Sequence, residues 1–147
     1  DMSYFLFTKA ILEDQAIDVF NYGQMQRDFT FIDDIVESVT RVIKKIPLPN
    51  KEFNKNQPDL SSSWAPYKIF NIGNSSSINL GDFISTLENI IGKKAKKNLL
   101  PMPKGDVLST MADTKLLENY INFKPETSLK DGLEKFFNWY KDFYKVS

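Results

Sequence analysis

The chain has 147 residues, of which 41% are hydrophobic and 14% aromatic, so it has enough apolar material to bury the core of a domain. Its 19 basic and 19 acidic residues give a formal net charge of zero, which argues against binding nucleic acid or an anionic membrane through a general electrostatic field. Because it contains neither histidine nor cysteine, the composition excludes an imidazole base, a thiolate nucleophile, a disulfide framework and the usual zinc ligands.

Apolar spacing predicts the elements of the first third of the chain. Residues 4–12 have helical spacing behind Ser3, a suitable N-cap, and residues 17–20 form a strand that ends in a turn at residues 21–23. Residues 27–31 are a second extended segment. A longer helix follows, capped by Asp33 or Asp34 and ended by Pro47. Its apolar residues fall on one predicted packing face: Ile35, Val36, Val39, Val42, Ile43 and Ile46.

The segment 47–66 is predicted to be a long loop or insertion, since it contains four prolines and no periodic pattern. Residues 67–72 are apolar nearly throughout, which is typical of a strand covered on both faces. A helix over 83–91 closed by Gly92, a strand over 95–100, a rigid loop over 101–106 and a helix over 114–120 follow. The last helix begins after Thr127 or Ser128. This order of helices and strands predicts an α/β protein.

Few residues offer binding chemistry. Arg27 stands between a turn and a strand, where its planar fork of donors could bind a phosphate, although a local ion pair explains it equally well. Asp106 follows Lys104 and Gly105 in a stiff loop and could accept hydrogen bonds from sugar hydroxyls, or could be a simple turn residue. Phe20 could offer a ring face to a base or belong to the core.

The glycines at positions 73, 81 and 92 are spaced too widely for a dinucleotide-binding fingerprint. No apolar run approaches the roughly 20 residues that a membrane span requires. The start at Asp1-Met2-Ser3 is neither an initiator methionine nor a signal sequence. We therefore expect a cytoplasmic protein, with no metal site, of which this chain is one part.

Three segments carry a family resemblance. They are QMQRDFTFIDDI at 24–35, YKIFNIGN at 67–74, and LPMPKGDV at 100–107 with ADT at 112–114. In this order they resemble the C-terminal half of the NAD-dependent nucleotide-sugar epimerases and dehydratases, the extended short-chain dehydrogenase/reductase family. The opening residues 1–11, the loop at 61–67 and the Pro-Met-Pro segment are most similar to the branch of UDP-glucuronate 4-epimerases that serves capsule synthesis.

The resemblance implies that residues 1–147 are the C-terminal, substrate-binding region of an extended Rossmann-type fold, with residues 67–72 as the last strand of its parallel sheet. The N-terminal half that binds NAD would be absent from this chain, together with the catalytic Tyr, Lys and Ser/Thr. Family members oxidise the sugar C4 hydroxyl and reduce the 4-keto sugar on its other face. We therefore expect a UDP-sugar as partner, a homodimer for the full-length protein, and no activity for this chain alone.

Four residues of this sequence match substrate-binding positions of the family. The resemblance assigns Arg27 to the diphosphate, Asp106 to the ribose, Phe20 to the uracil site and Phe29 to an aromatic position beside the arginine. Several relatives have a second phosphate-binding arginine where this chain has Pro103, and Lys104 is our candidate replacement.

Two kinds of alternative stay open. Within the family, the chain could belong to a UDP-galactose 4-epimerase, a UDP-glucuronate decarboxylase or a sugar-nucleotide 4,6-dehydratase. Outside it, the chain could be a free-standing, non-catalytic nucleotide-binding module. A Gly-rich βαβ start and a Tyr-x-x-x-Lys helix in the gene sequence upstream would favour the enzyme.

Overall fold

The computed structural model describes residues 2–146, which form five α-helices and four short strands in mixed order. The elements are α1 (Ser3–Leu12), β1 (Ala16–Phe20), β2 (Gln26–Asp28), α2 (Ile32–Ile43), β3 (Ser77–Asn79), α3 (Leu80–Ile91), β4 (Lys96–Leu100), α4 (Lys115–Ile121) and α5 (Leu129–Tyr144). The predicted α/β class is confirmed. Within the described residues, no helix is both long enough and apolar enough to cross a membrane.

The chain divides into two compact units. The first consists of Asp1–Phe29, Ser76–Met111 and Thr127–Ser147, and the second of Thr30–Ser75 and Ala112–Glu126. The first unit contains all four strands together with α1, α3 and α5, whereas the second contains α2, α4 and the long loop.

The first unit contains two small sheets. Strand β1 pairs in parallel with β4, with Ala16 opposite Lys96 and Phe20 opposite Leu100. Strand β2 pairs antiparallel with β3, a strand that the sequence pattern did not predict. Along β1 the side chains alternate between buried and exposed, because successive residues of a strand point to opposite faces.

The core of the first unit lies between the buried face of β1 and helices α1, α3 and α5. Its buried members are Ile11, Ile17, Val19, Phe83, Ile84, Leu87 and Leu133. Helix α3 is capped at both ends, because the Asn79 side chain accepts a hydrogen bond from the Gly81 amide and Gly92 adopts the left-handed conformation. Ser128 caps α5 by accepting a hydrogen bond from the Asp131 amide, as one of the two predicted caps.

A buried carboxylate links the end of α3 to the start of β4. The Glu88 side chain is 2% exposed, and its oxygens lie 2.9 Å from Lys94 Nζ and 2.6 Å from Lys97 Nζ. The Ala95 amide donates a third hydrogen bond at 3.1 Å. Burial alone would raise the pKa of Glu88, but these three donors outweigh it and lower the pKa from 4.5 to about 2.

In the second unit, α2 lies against α4. The Lys45 ammonium donates to the Tyr120 carbonyl at 2.6 Å, and the Tyr120 hydroxyl donates to the Lys45 carbonyl at 2.8 Å. Arg41 donates to the Asn122 carbonyl and stacks on the Phe123 ring. These contacts join the C-terminal turns of the two helices.

The predicted packing face of α2 is wrong in part. Ile32, Val36, Val39 and Ile43 follow one another at spacings of four, three and four residues, and all four are exposed. We call this set the α2 apolar stripe. The buried residue of α2 is the small, polar Ser38, whose hydroxyl donates to the Asp34 carbonyl. Periodicity located an apolar face, but it could not say whether this chain supplies the surface that covers it.

The predicted strand over 67–72 does not form a ladder in the described residues. Its one strand-like contact is an isolated antiparallel bridge between Ser62 and Lys68. Tyr67 and Ile69 are about half exposed. An apolar segment of this type needs neighbouring strands on both sides, and none of the four strands pairs with it.

Two smaller predictions also differ from the structure. Met2 is the N-cap of α1, and Ser3 is its first helical residue. Helix α2 begins after Phe31, so that Asp33 and Asp34 lie in its first turn, where their charges favour the positive end of the helix dipole.

The Glu88 cluster, which consists of Glu88, Lys94, Lys97 and the Ala95 amide, makes the stability of the fold depend on pH in the acid range. Because the folded-state pKa lies below the unfolded value, the stabilisation is complete above pH 4.5 and disappears as the pH falls toward 2. We expect the free energy of unfolding to fall by up to about 3 kcal/mol over this interval, and Glu88→Gln to remove most of that dependence. Urea unfolding at several pH values measures it. Glu134→Gln, at an exposed pair with Lys130, is the matched control.

The exposure of the α2 apolar stripe predicts that this chain tolerates charged substitutions there with little loss of stability. Ile43→Glu should change the free energy of unfolding of this chain by less than about 0.5 kcal/mol, because the Ile43 side chain is 74% exposed. Leu117→Ala in α4 should cost about 2–5 kcal/mol, because Leu117 is fully buried. Thermal or urea unfolding compares the two variants. An equally large loss with Ile43→Glu would contradict the exposure of the stripe.

Candidate functional site

Strand β2 holds Arg27 beside the segment 108–110. The Gln26 amide donates to the Leu108 carbonyl at 2.8 Å, and the Thr110 amide donates to the Gln26 carbonyl at 3.2 Å. Gln26 and Ser109 thereby form a parallel bridge. The backbone on either side of Arg27 is therefore fixed by β3 on one edge and by this segment on the other.

The loop before that segment ends in a tight turn. The Asp106 amide donates to the Pro103 carbonyl at 3.3 Å, and Gly105 has φ +85°, which is the conformation that the third position of a type II turn requires. The Val107 amide donates to Asp106 Oδ1 at 2.7 Å. The carboxylate of Asp106 is therefore oriented by the backbone that follows it.

Arg27 and Asp106 form an ion pair at the centre of the candidate site. Arg27 Nη2 lies 2.8 Å from Asp106 Oδ1, and the two side chains are 28% and 36% exposed. Arg27 Nη1 also donates to the Gln26 carbonyl at 2.8 Å and, in a longer contact of 3.4 Å, to the Leu108 carbonyl. The guanidinium is thus held in one orientation by three acceptors.

The remaining donors of Arg27 are available to a ligand. A guanidinium has five N–H groups, and the three contacts of Arg27 use both hydrogens of Nη1 and one of Nη2. Among residues 2–146, no acceptor is bonded to Nε–H or to the second hydrogen of Nη2. Unused N–H donors on a planar guanidinium suit the oxygens of a phosphate.

Phe20 stands at the C-terminal end of β1, opposite Leu100 at the C-terminal end of β4. Its side chain is 38% exposed. On the same face of β1, Asp18 accepts a hydrogen bond from the Asn98 side chain at 3.1 Å. Because β1 and β4 are parallel and β4 continues into the loop 101–106, Phe20 lies at the sheet edge from which the Asp106 turn departs.

The other two predicted residues differ in their surroundings. Lys104 is exposed on the turn two residues before Asp106, and it forms no ion pair within the described residues. Phe29 stacks on the buried Phe83 with ring centroids 4.6 Å apart and is packed against the core. The structure therefore brings Arg27 and Asp106 into contact and makes Phe29 part of the packing beneath β2.

Sequence reasoning missed the segment 108–110 as part of the site. Its carbonyl at Leu108 and its pairing with Gln26 orient Arg27, yet a three-residue extended run has no periodicity to reveal it. The basic cluster at 93–97 is structural in large part, since Lys93 pairs with Asp14 and two further lysines bind Glu88. No group of three potential metal ligands occurs within residues 2–146.

The sequence is similar to several curated proteins, although no protein-family model matches it. It is 52% identical over 145 residues to protein CapI of Staphylococcus aureus, covering 99% of this chain and 43% of that protein. It is 39% identical over 149 residues to a probable UDP-glucuronate 4-epimerase of Rhizobium meliloti, covering 99% of this chain and 43% of that protein.

The fold matches solved enzymes of the same kind. UDP-glucuronic acid 4-epimerase from Bacillus cereus, in complex with UDP-glucuronic acid and NAD, superimposes with a TM-score of 0.76 at 32% identity, covering 98% of this chain and 41% of that chain. This chain is a homologue of the NAD-dependent nucleotide-sugar epimerases. It corresponds to the C-terminal portion of their Rossmann-type chains, as the resemblance predicts.

The homologous region is only part of each relative. The epimerase-like chain spans less than half the length of the curated relatives it matches, at 43% and 44% of the first two. A UDP-glucose 4-epimerase from Thermotoga maritima, at 21% identity and a TM-score of 0.75, shares the fold.

The turn that carries Asp106 gives a prediction for the candidate site. Gly105→Ala should lower the free energy of unfolding by about 1 kcal/mol, because an L-residue is strained at φ +85° while the added methyl group meets nothing within 4 Å. It should also shift the NMR resonance of the Arg27 side chain. Gly92→Ala is the matched control, since Gly92 has φ +76° and equally open surroundings, far along the chain from Arg27. It should cause the same loss of stability and leave the Arg27 resonance unchanged.

Proposed function

We propose that this chain is the substrate-binding portion of an NAD-dependent epimerase that converts UDP-glucuronate to UDP-galacturonate through a 4-keto sugar. The observation that carries the proposal is the Arg27–Asp106 pair, in which a guanidinium with two unused donors lies 2.8 Å from a carboxylate. A diphosphate and its ribose are adjacent groups in a nucleotide sugar, so neighbouring cationic and acidic side chains suit them.

The proposed binding mode assigns one group of the ligand to each side chain. Arg27 binds the diphosphate through Nε–H and Nη2–H, and Asp106 accepts a hydrogen bond from a ribose hydroxyl. Phe20 lines the uracil site at the end of β1. Lys104 supplies a second positive charge from the Asp106 turn, and Phe29 supports β2 from below by stacking on the core.

The choice of UDP-glucuronate rests on the relatives. The identity is 36–39% to proteins named as UDP-glucuronate 4-epimerases from Rhizobium meliloti and Arabidopsis thaliana. It is 30–32% to the Bacillus cereus UDP-glucuronic acid 4-epimerase structures. Solved structures of a UDP-glucose 4-epimerase and a dTDP-glucose 4,6-dehydratase are only 21% and 14% identical.

The same proposal places the redox chemistry outside this chain. NAD, held by the rest of the protein, would supply the hydride acceptor and donor for the sugar carbon. The six glycines of this chain form no dinucleotide-binding fingerprint, so we assign none of its residues to NAD. The α2 apolar stripe and the segment 67–72, which joins no strand ladder in the described residues, support this arrangement, because a larger protein would cover both.

Titration of UDP into the chain tests the nucleotide site. We expect measurable binding that weakens by about tenfold or more in Arg27→Ala, because a charge-assisted bidentate contact is lost. Arg41→Ala is the matched control, since Arg41 is the one other arginine of the sequence and pairs with Glu37 in α2. Isothermal titration calorimetry at constant ionic strength gives the affinities. Equal affinity of the wild-type chain and Arg27→Ala would disprove the phosphate role of Arg27.

A second experiment tests the proposal that the catalytic groups lie outside this chain. The chain alone, incubated with NAD and UDP-glucuronate, should form no UDP-galacturonate when the products are separated by chromatography. Turnover by these 147 residues would show that the catalytic groups lie within them.

A further inference from the structure

Helix α5 carries a row of aromatic side chains that the packing of this chain uses only in part. Phe136, Trp139 and Phe143 follow one another at spacings of three and four residues, and we call this set the α5 aromatic ridge. The side chains of Trp139 and Phe143 are 48% and 65% exposed. The buried residues of α5 form a separate row: Leu133, Phe137 and Tyr140. The ridge therefore lies beside the buried face of the helix.

The rings of the ridge are held in place by contacts within the chain. Phe136 meets the Tyr4 ring of α1 edge-on, with ring centroids 4.8 Å apart. The Trp139 and Phe143 rings stack with centroids 5.2 Å apart, and Tyr144 lies 5.0 Å from Phe143. Rings that are already ordered lose little conformational freedom when a second protein covers them. Exposed, ordered aromatic side chains are typical of protein–protein interfaces.

Gly132 extends the same row by one helical turn. It lies four residues before Phe136, so positions 132, 136, 139 and 143 have the spacing of a coiled-coil seam. A glycine inside a helix lowers its stability, and Gly132 lies within α5. Because Gly132 has no side chain, it leaves space in the row for a large side chain from a facing helix.

Two opposite charges lie along one flank of the ridge. Lys135 and Asp142 each directly precede a ridge residue, they are seven residues apart, and both are exposed. On the other flank, Leu133 and Tyr140 are buried in the core of this chain. When two copies of one helix pair in antiparallel fashion, the same flank of each copy faces the other. Lys135 of each copy then lies opposite Asp142 of the second copy.

We propose that the α5 aromatic ridge is a docking surface for a second copy of this chain, with the two α5 helices antiparallel about a two-fold axis. In this register Phe143 of one copy faces Gly132 of the other, and Phe136 faces Trp139. A few aromatic side chains cover less area than a permanent interface, so the dimer is weak and depends on concentration. The contact uses residues of α5 alone and does not rest on the proposed nucleotide site.

The α2 apolar stripe provides a control surface. It has the same spacing and is equally exposed, but Glu37 and Arg41 of that helix already pair with each other. Helix α2 therefore does not present its charges to a second copy in the way that α5 does.

The first experiment measures the dimerisation of the wild-type chain and of two variants by sedimentation equilibrium. We expect Phe143→Glu to weaken the dimer by about tenfold or more, because it places a charge at the centre of an aromatic contact. Ile43→Glu places the same charge on the exposed α2 apolar stripe and should leave the affinity unchanged. Far-UV circular dichroism confirms that both variants are folded.

The second experiment tests the antiparallel pairing by charge reversal. Lys135→Glu and Asp142→Lys should each weaken self-association by about tenfold, because two attractive contacts become repulsive. The double variant Lys135→Glu/Asp142→Lys should recover the wild-type affinity. An equimolar mixture of the two single variants should also associate, because opposite charges again face each other in the mixed dimer.

Each contrary result overturns the proposal. A wild-type chain that stays monomeric at about 0.5 mM has no docking surface for a second copy. A dimer that survives Phe143→Glu, or that is lost with Ile43→Glu, forms through another surface. If neither the double variant nor the mixture of single variants associates more strongly than each single variant alone, the antiparallel pairing of α5 is wrong.

Discussion

The parallel pairing of β1 with β4 is the constraint on which the candidate site depends. It brings residues 80 positions apart into register and ends both strands at one edge, where Phe20 faces Leu100. The chain then leaves β4 through a proline-rich turn whose Gly105 and Asp106 direct it back along β2. If the register moved by one residue, every side chain of β4 would change face and Asp106 would lose its position beside Arg27.

The Glu88 cluster fixes the other end of the same strand. Its carboxylate binds the Ala95 amide and the Lys97 ammonium, and so it ties the last turn of α3 to the first residues of β4. Because Leu87, its neighbour in α3, is fully buried in the core, the start of β4 is attached to a helix that is packed into the core of the first unit. Strand β4 is thus held at its start by a buried carboxylate and along its length by β1. These two attachments allow a strand of five residues to position the loop 101–106.

Sequence reasoning predicted the parts of the fold that local chemistry determines. Gly92 ends α3 and Ser128 caps α5, and each follows from the residue itself or its near neighbours. The errors concern what lies against an apolar surface. The α2 apolar stripe and the segment 67–72 have the pattern of buried elements, but burial depends on partners that a local pattern does not identify. Likewise, Arg27 and Asp106 were separate candidates in the sequence, and their contact appears only once a strand pairing joins residues 79 positions apart.

The two clearest carboxylate clusters of the first unit differ in what they contribute. Glu88 is almost fully buried and receives three hydrogen bonds. Removing its carboxylate leaves two lysines without that acceptor, so the stability of the fold depends on the charge of Glu88. The Arg27–Asp106 pair is about one-third exposed, and pairs of that kind contribute roughly 0–1 kcal/mol to folding. Stability therefore does not explain why the guanidinium is held by three acceptors with two donors left open. A side chain that is oriented at several points and stabilises the fold little is better explained by the ligand that completes its hydrogen bonds.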